Sequence, residues 1–236
     1  MGETRADVRT TIRDLLDDPR KDFFSDAVVN RAISRANQIV YNLLAKRDPS
    51  IFSTEGSVTL PADTKSIDLS QSAPDGLGVV PMVIQRVWET DESGAVGTNN
   101  EPQEVLPTSQ TALVDAYCNG SGYHSARGLS QLYYSMRGKF MDIAPVPDDE
   151  RFLKILYVPA NPTTLNSDSV EVLSGTFPHM HQAVAYCGAY LLLSKQEGQN
   201  AASITQLWSA AQSELISFGN FQQAQRNNRV RSYRRK

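Results

Sequence analysis

Histidine side chains are the first groups to test for chemistry, because histidine is a common metal ligand and proton carrier near neutral pH. His179 and His181 stand two residues apart in the sequence. On a helix they would point in nearly opposite directions and could not share a metal ion, whereas on a strand they could. The apolar residues around them have a helical period, so we interpret both as surface or capping histidines. His124 stands alone in the loop-like stretch NGSGYHSARG.

The other polar motifs lack the spacing that catalysis or cofactor binding requires. Residues 120–122 (GSG) have neither the Lys-Ser/Thr of a phosphate loop nor the G-x-S-x-G of a nucleophile elbow. The acidic residues 148–150 (DDE) follow a proline and have the composition of a hairpin turn. We therefore expect no enzyme activity, no catalytic residues, no metal site and no cofactor.

The two cysteines, Cys118 and Cys187, are far apart and have no CxxC spacing, so they indicate neither a metal site nor a redox pair. Cys187 lies among apolar helical residues and is predicted to be a small core residue. The start MGETRADVRTTIRDLL has no apolar run of signal-peptide length, and no stretch approaches the ~18 apolar residues of a membrane span. We expect a soluble protein made in a reducing compartment.

The last eleven residues, RNNRVRSYRRK, carry six positive charges and no negative charge. The chain has 23 basic and 26 acidic residues, so without these six it has 17 basic residues and a net charge of −9. Three interpretations remain open: a solvated terminus, a phosphate clamp on nucleic acid, and a strap that docks on a protein partner. The docking residues would be Arg226, Arg229, Val230, Arg231, Tyr233, Arg234, Arg235 and Lys236.

Helices are predicted at both ends of the chain. The first covers residues 4–17, and the second follows Ser25 as N-cap and ends near Arg47, before Asp48-Pro49. Near the C-terminus, the apolar spacing predicts a helix from about Met180 to Gln196 and another through residues 204–218. The short break between these two favours an antiparallel hairpin.

Between these helical regions the hydrophobic period changes to two. The runs GSVTLP, KSIDLS, VVPMVIQRVW, KFMDIAPV and FLKILYV predict strands of an antiparallel sheet, with Lys139 and Asp142 on a solvated face. Residues 91–129 are weakly patterned, with a short helix predicted around Gln110 to Tyr117, and a loop of this length is usually functional or mobile.

These elements predict an α+β fold: an antiparallel helical bundle built from both termini, with an inserted antiparallel β-domain and an extended C-terminal tail. The predicted parts are the N-terminal helices at 1–50, the β-domain at 51–160, the C-terminal helical hairpin at 161–219 and the basic tail at 220–236.

The order of three segments resembles the head-to-tail adaptor (connector) proteins of tailed bacteriophages, the group that includes tail tubular protein A. The segments are FFSDAVVNRAISRANQIVYNLLAKRDPSIFSTEGSVTLPADTKSIDLS, KFMDIAPVPDDERFLKILYVPANPTTL and FPHMHQAVAYCGAYLLLSKQEGQNAAS. The resemblance implies a structural virion protein of the neck, assembled in the host cytoplasm. It implies a ring, usually a dodecamer, beneath the portal protein, in contact with tail or nozzle proteins and with DNA passing through its lumen without specific binding.

In such a ring the C-terminal segment would lie against the portal, which gives the basic tail a protein partner. Two alternatives stay open on the sequence. The first is a nucleic-acid-binding protein that uses the tail as a phosphate clamp, and the second is another ring-forming tail component, such as a terminator or stopper.

Overall fold

The structure is a computed structural model of the chain. It describes residues 3–90, 103–113, 132–160, 165–173, 179–195 and 203–216. The chain divides into two compact units, Met1–Ile51 with Asn161–Lys236, and Phe52–Ala160, which we call the helical unit and the β-unit. In the part of the chain that the structure describes, no helix has the length and apolar character needed to cross a bilayer.

The described helices are α1 (Arg5–Leu15), α2 (Asp26–Arg47), α3 (residues 110–113), α4 (His179–Leu193) and α5 (residues 203–216). A capping box begins α1, because Thr4 and Asp7 each bond the other's backbone N–H group. Ser25 occupies the N-cap of α2 as predicted, but its side chain makes no capping hydrogen bond. The first two helices therefore lie where the hydrophobic period predicted them.

Helix α4 is the centre of the helical unit. Its buried residues lie on most sides of the helix and include Met180, Ala183, Val184, Cys187, Ala189 and Leu192. Cys187 is confirmed as a core residue, and its burial raises the pKa of the thiol to about 11. Helix α1 approaches α4 closely at Gly188, where an added Cβ would lie 2.6 Å from Ile12 Cδ1. Only glycine fits this contact without a shift of its neighbours.

Residues 165–173 are tied to both N-terminal helices by hydrogen bonds. The backbone N–H of Arg5 donates to Val170 O at 2.9 Å, and the N–H of Val172 donates to Glu3 O at 3.0 Å. The side chain of Asn37, buried in α2, accepts a hydrogen bond from the N–H of Leu173 at 3.2 Å. Backbone groups of this segment thus find partners in the two helices that it crosses.

The β-unit contains one sheet of seven strands. The strands are β1 (Thr54–Leu60), β2 (Ser66–Asp68), β3 (Pro81–Thr90), β4 (Glu104–Pro107), β5 (Tyr133–Arg137), β6 (Phe140–Ala144) and β7 (Arg151–Pro159). Their order across the sheet is β1-β7-β3-β4-β5-β6-β2. Every neighbouring pair is antiparallel except β4 and β5, which are parallel in the register Leu106 to Tyr133.

The sheet nearly closes on itself. The segment after β2, which is one edge strand, returns to the other edge strand, where the N–H of Thr59 donates to Pro74 O at 2.8 Å. The side chains that point inside form the core of the unit. They are Val58, Leu60, Ile67, Leu69, Val87, Val105, Leu132, Tyr134, Met141, Ile143, Leu153, Ile155 and Tyr157.

The predicted fold class is wrong, although α+β holds in the broad sense. Instead of a helical bundle with an inserted antiparallel β-domain, the described chain has five helices and a nearly closed, mixed seven-stranded sheet. Parallel strands need a crossover of about a dozen residues or more, and residues 108–132 supply it between β4 and β5. The weakly patterned stretch was predicted as a loop with a short helix around Gln110 to Tyr117. Helix α3 lies where that helix was predicted to begin, but β4 was not predicted.

Two smaller predictions also change in the β-unit. Asp142 does not lie on a solvated face but is only 7% exposed, and it binds Gln110 of α3 at 2.9 Å and Arg137 at 3.1 Å. Residues 148–150 do not form a hairpin turn, because β6 and β7 are not paired with each other and the connection crosses the end of the sheet.

Candidate docking surfaces of the helical unit

Three arginines, Arg5, Arg9 and Arg13, recur every fourth residue along one side of α1. Arg5 Nη2 donates to Asp168 Oδ1 at 2.7 Å, and Arg9 Nη2 donates to Asp168 Oδ2 at 2.8 Å. Because Arg9 and Arg5 both stabilise its ionised form, the pKa of Asp168 falls to about 2. This double contact fixes residues 165–173 against α1.

Arg13 organises the connection between α1 and α2. Arg13 is 7% exposed, and its guanidinium group donates to Asp18 Oδ2 at 3.0 Å, to Phe24 O at 3.0 Å and to Asp26 Oδ1 at 2.7 Å. Asp18, which is 2% exposed, accepts in turn from the backbone N–H groups of Phe23 and Phe24. A buried charge has to be paired and hydrogen-bonded, and both partners here are.

The result is a loop with a fixed backbone that presents an aromatic side chain to solvent. Phe23 is 74% exposed, more than any other large apolar side chain among the described residues. Its own N–H is held by Asp18, so its position does not depend on packing of the ring. Exposed aromatic rings on ordered backbone are typical of protein contact sites.

The exposed charges of α1 and α2 have opposite signs. Asp7 and Asp14 are exposed on the side of α1 opposite its arginines, and we call this the acidic face. Arg31, Arg35 and Lys46 are exposed along one side of α2, and we call this the basic face. After Asp26 at its first position, α2 has no acidic residue.

Helix α5 is the last described element before the basic tail. The ring of Trp208 packs against Tyr190 of α4, with ring centroids 5.2 Å apart, and Ala211 and Leu215 are buried. Arg47 Nη1 of α2 donates to the carbonyl of Leu215 at 3.4 Å, near the point where the described part of α5 ends. The described end of α5 is therefore held by two other helices of the same unit.

The predicted docking residues themselves lie outside the described part of the chain. They are Arg226, Arg229, Val230, Arg231, Tyr233, Arg234, Arg235 and Lys236. Their role as portal contacts stays a prediction. Cys118 and His124 also lie outside the described residues.

His181 is not the surface or capping residue that its sequence predicted. The imidazole is fully buried, and its Nδ1 accepts a hydrogen bond from the backbone N–H of Glu3 at 3.1 Å. The helix predicted around it is present, and it holds His181 inside rather than outside the unit. Within the described ranges, no group of three or more histidine, cysteine or acidic side chains is arranged to hold a metal ion.

Among the described residues, the helical unit presents one charged face on each of α1 and α2 and one exposed aromatic ring, and aromatic residues are enriched in protein interfaces. The family model of the SU10 adaptor protein matches residues 4–235. The chain therefore belongs to the SU10 adaptor protein family, and the predicted identity as a phage adaptor is confirmed at this level. The likeness to tail tubular protein A stays a prediction. No curated protein matches the chain significantly.

Proposed function

We propose that the protein is the head-to-tail adaptor of a tailed phage, a structural component of the virion neck. Its copies form a ring, a dodecamer, beneath the portal, join the capsid vertex to the tail and continue the DNA channel. The observation that carries this proposal is the adaptor family match, which extends over residues 4–235. The partners are the portal above the ring and a tail or nozzle protein below it.

In this proposal the basic tail is the part of each subunit that grips the portal. Fixing the backbone of one residue costs roughly 1 kcal/mol or more, so a free tail of this length becomes ordered only in a groove that offers many contacts. The six positive charges fit a groove with acidic or polar walls, and Val230 and Tyr233 supply apolar anchors between them. Repetition around a ring adds these modest contacts together.

The anchoring of α5 supports this role for the tail. Because Trp208, Leu215 and Arg47 hold the last described helix on the rest of the helical unit, a tail bound by the portal pulls on a folded body. A force on the tail is then carried by the contacts of α5 with α4 and α2, so it does not unwind α5 alone.

The acidic remainder of the chain, with net charge −9, suits a channel wall that does not bind DNA.

The test is deletion of residues 221–236, followed by mixing with the portal protein of the same phage. We expect the full chain to form rings on the portal, seen by negative-stain microscopy and co-sedimentation. The truncated chain should keep its helical circular dichroism, because the described core is complete without the tail, but should no longer join the portal.

Two matched variants separate charge from apolar anchoring. One replaces the six basic residues of the tail by glutamine, and the other replaces Val230 and Tyr233 by serine and keeps every charge. Portal binding by the truncated chain at the level of the full chain would refute the docking role. If the tail instead binds random duplex DNA, with affinity that falls steeply between low and moderate salt, the tail is a phosphate clamp.

A further inference from the structure

The exposed charges along the basic face of α2 all have the same sign. At 100° per residue, Arg31, Arg35 and Lys46 lie within about 60° of one another around the helix and extend over about 22 Å of its length. All three are exposed, and no carboxylate among the described residues forms a salt bridge with any of them. Arg31 Nε reaches only the carbonyl of Ala27 in its own helix, at 3.4 Å.

The acidic face of α1 is negatively charged, and the arginines of the same helix do not neutralise it. The positive charges of α1 lie on its other side, where Asp168, Asp26 and Asp18 neutralise them. Asp7 and Asp14 lie within about 20° of each other around the helix, away from those arginines. Asp7 is held ionised, because its hydrogen bonds from the side chain and backbone of Thr4 lower its pKa.

Each of these faces also has exposed apolar side chains beside it. Phe23 and Leu15, which are 74% and 39% exposed, lie at the C-terminal end of α1, and Leu43, which is 43% exposed, lies near Lys46 on α2. Protein interfaces combine an apolar centre with a charged rim, and hot spots are enriched in aromatic residues that enter a pocket on the partner. Both faces therefore have the composition of one side of a protein contact.

We infer that the acidic face of one copy packs against the basic face of a second copy, so that α1 and α2 form the contact between neighbouring subunits. This inference rests on the proposed ring and names the surfaces that build it. The two surfaces are different, so the contact is head-to-tail, and such contacts repeat until they close a ring or extend a filament. Each subunit uses its acidic face on one side and its basic face on the other.

A second copy explains more of the surface than DNA does. Phosphates would account for the basic face alone and would leave the acidic face and the exposed Phe23 unexplained. A neighbouring subunit accounts for all three, because it supplies the opposite charge to each face and an apolar neighbour to the ring. Charge of this kind mainly fixes orientation and speeds the encounter of two surfaces, and it weakens in salt.

The test exchanges charges between the two faces in the full chain. Arg35→Glu gives the basic face a negative charge, and Asp14→Arg gives the acidic face a positive one. Each variant alone then places like charges across the contact, and self-association measured by sedimentation velocity at low salt should weaken roughly tenfold or more. A one-to-one mixture of the two variants should associate like the original chain, because every contact in an alternating ring pairs opposite charges again.

Two further variants serve as controls. Arg86→Glu and Glu150→Arg change charge by the same amounts at exposed positions of the β-unit, and they should leave self-association unchanged.

A third variant, Phe23→Ser, tests the apolar part of the contact. It leaves the Asp18 contacts to the backbone in place and should weaken self-association, as the two charge reversals do. Circular dichroism at 222 nm verifies that each variant keeps its helices.

Failure of the mixture to restore association would overturn the inference, and so would an original chain that stays monomeric throughout. Loss of binding to duplex DNA by Arg35→Glu, with self-association unchanged, would assign the basic face to DNA instead. Portal binding by the original chain decides the proposed function separately. If both charge-reversal variants still form rings on the portal, only this inference is rejected. If the mixture restores self-association but the original chain does not bind the portal, only the adaptor role is rejected.

Discussion

Replacing Gly188 by alanine measures how closely α1 approaches α4. The added Cβ would lie 2.6 Å from Ile12 Cδ1, well inside van der Waals contact, and 4.0 Å from Ala36 Cβ. Ile12 is fully buried and cannot swing away freely. Overpacking of this kind costs about 1–3 kcal/mol. Alanine also gains about 1 kcal/mol over glycine in helix propensity. The net loss in unfolding free energy should therefore be only about 1 kcal/mol.

Ile12→Val isolates the steric part of this balance, because it removes the Cδ1 atom that the new methyl group would meet. Alone it should cost about 0.5–1.5 kcal/mol, as expected for one buried methylene group. In the double variant the methyl group introduced by Gly188→Ala occupies the vacated space and the overpacking disappears. We expect the two changes to be non-additive, with a favourable coupling of about 1 kcal/mol or more.

The two tryptophans make the assay specific to one unit. Trp208 lies in α5 of the helical unit and Trp88 in β3 of the β-unit, and the chain has no other tryptophan. In a Trp88→Phe background, urea unfolding followed by fluorescence reports the helical unit alone. The pair Ser34→Ala and Ser34→Gly, on the exposed side of α2, measures the propensity difference without packing. Additivity of the Gly188 and Ile12 changes within about 0.5 kcal/mol would refute the close approach.

Two further predictions use the same protein. The pKa of Asp168 is about 2 in the folded chain and about 3.9 when unfolded, so its stabilising contact with Arg5 and Arg9 should be lost as the pH falls from about 4 to 2. Asp168→Asn should be less stable at neutral pH and should flatten this dependence in Trp208 unfolding curves, and equal slopes would contradict the contact. In a Cys118→Ser background, the buried Cys187 should not react with a thiol reagent at pH 8 until urea unfolds the chain.

The helices could be predicted from the sequence because each carries its own signal. The apolar stripe of α2 from Val29 to Leu44 and the run of α4 from Met180 to Leu192 repeat over several turns, and both are buried as that period requires. The limits of α2 were also visible, because a cap residue precedes it and Asp48-Pro49 follows it. The hydrophobic period and the capping residues are therefore sufficient to predict a helix that is several turns long.

The mixed sheet could not be predicted in the same way. β4 has only four residues and β5 only five, and their pairing joins positions separated by the whole 108–132 crossover. Asp142 was placed in solvent because an acidic residue in a strand usually lies there, but Gln110 and Arg137 provide partners that a local pattern does not contain.

The candidate surfaces were only partly visible in the sequence. The basic tail is evident from composition, whereas the exposure of Phe23 depends on the buried pair Arg13 and Asp18, which lie five residues apart across a turn. The spacing of Arg5, Arg9 and Arg13 was a usable signal for one charged side of α1. Their partner Asp168 is distant in sequence, so the neutralisation of that side, and with it the imbalance of charge, required the structure.

The pairing of β1 with β7 has a consequence for how such proteins diversify. The first strand of the β-unit lies beside its last, with Thr54 opposite Tyr157, so the chain enters and leaves the unit at neighbouring points. Antiparallel partners are about 5 Å apart, a gap that one or two residues can bridge. Recombination between phage genomes could thus excise or exchange everything between these points and still leave the flanking polypeptide connected. The two ends of the β-unit are therefore close enough to be joined directly.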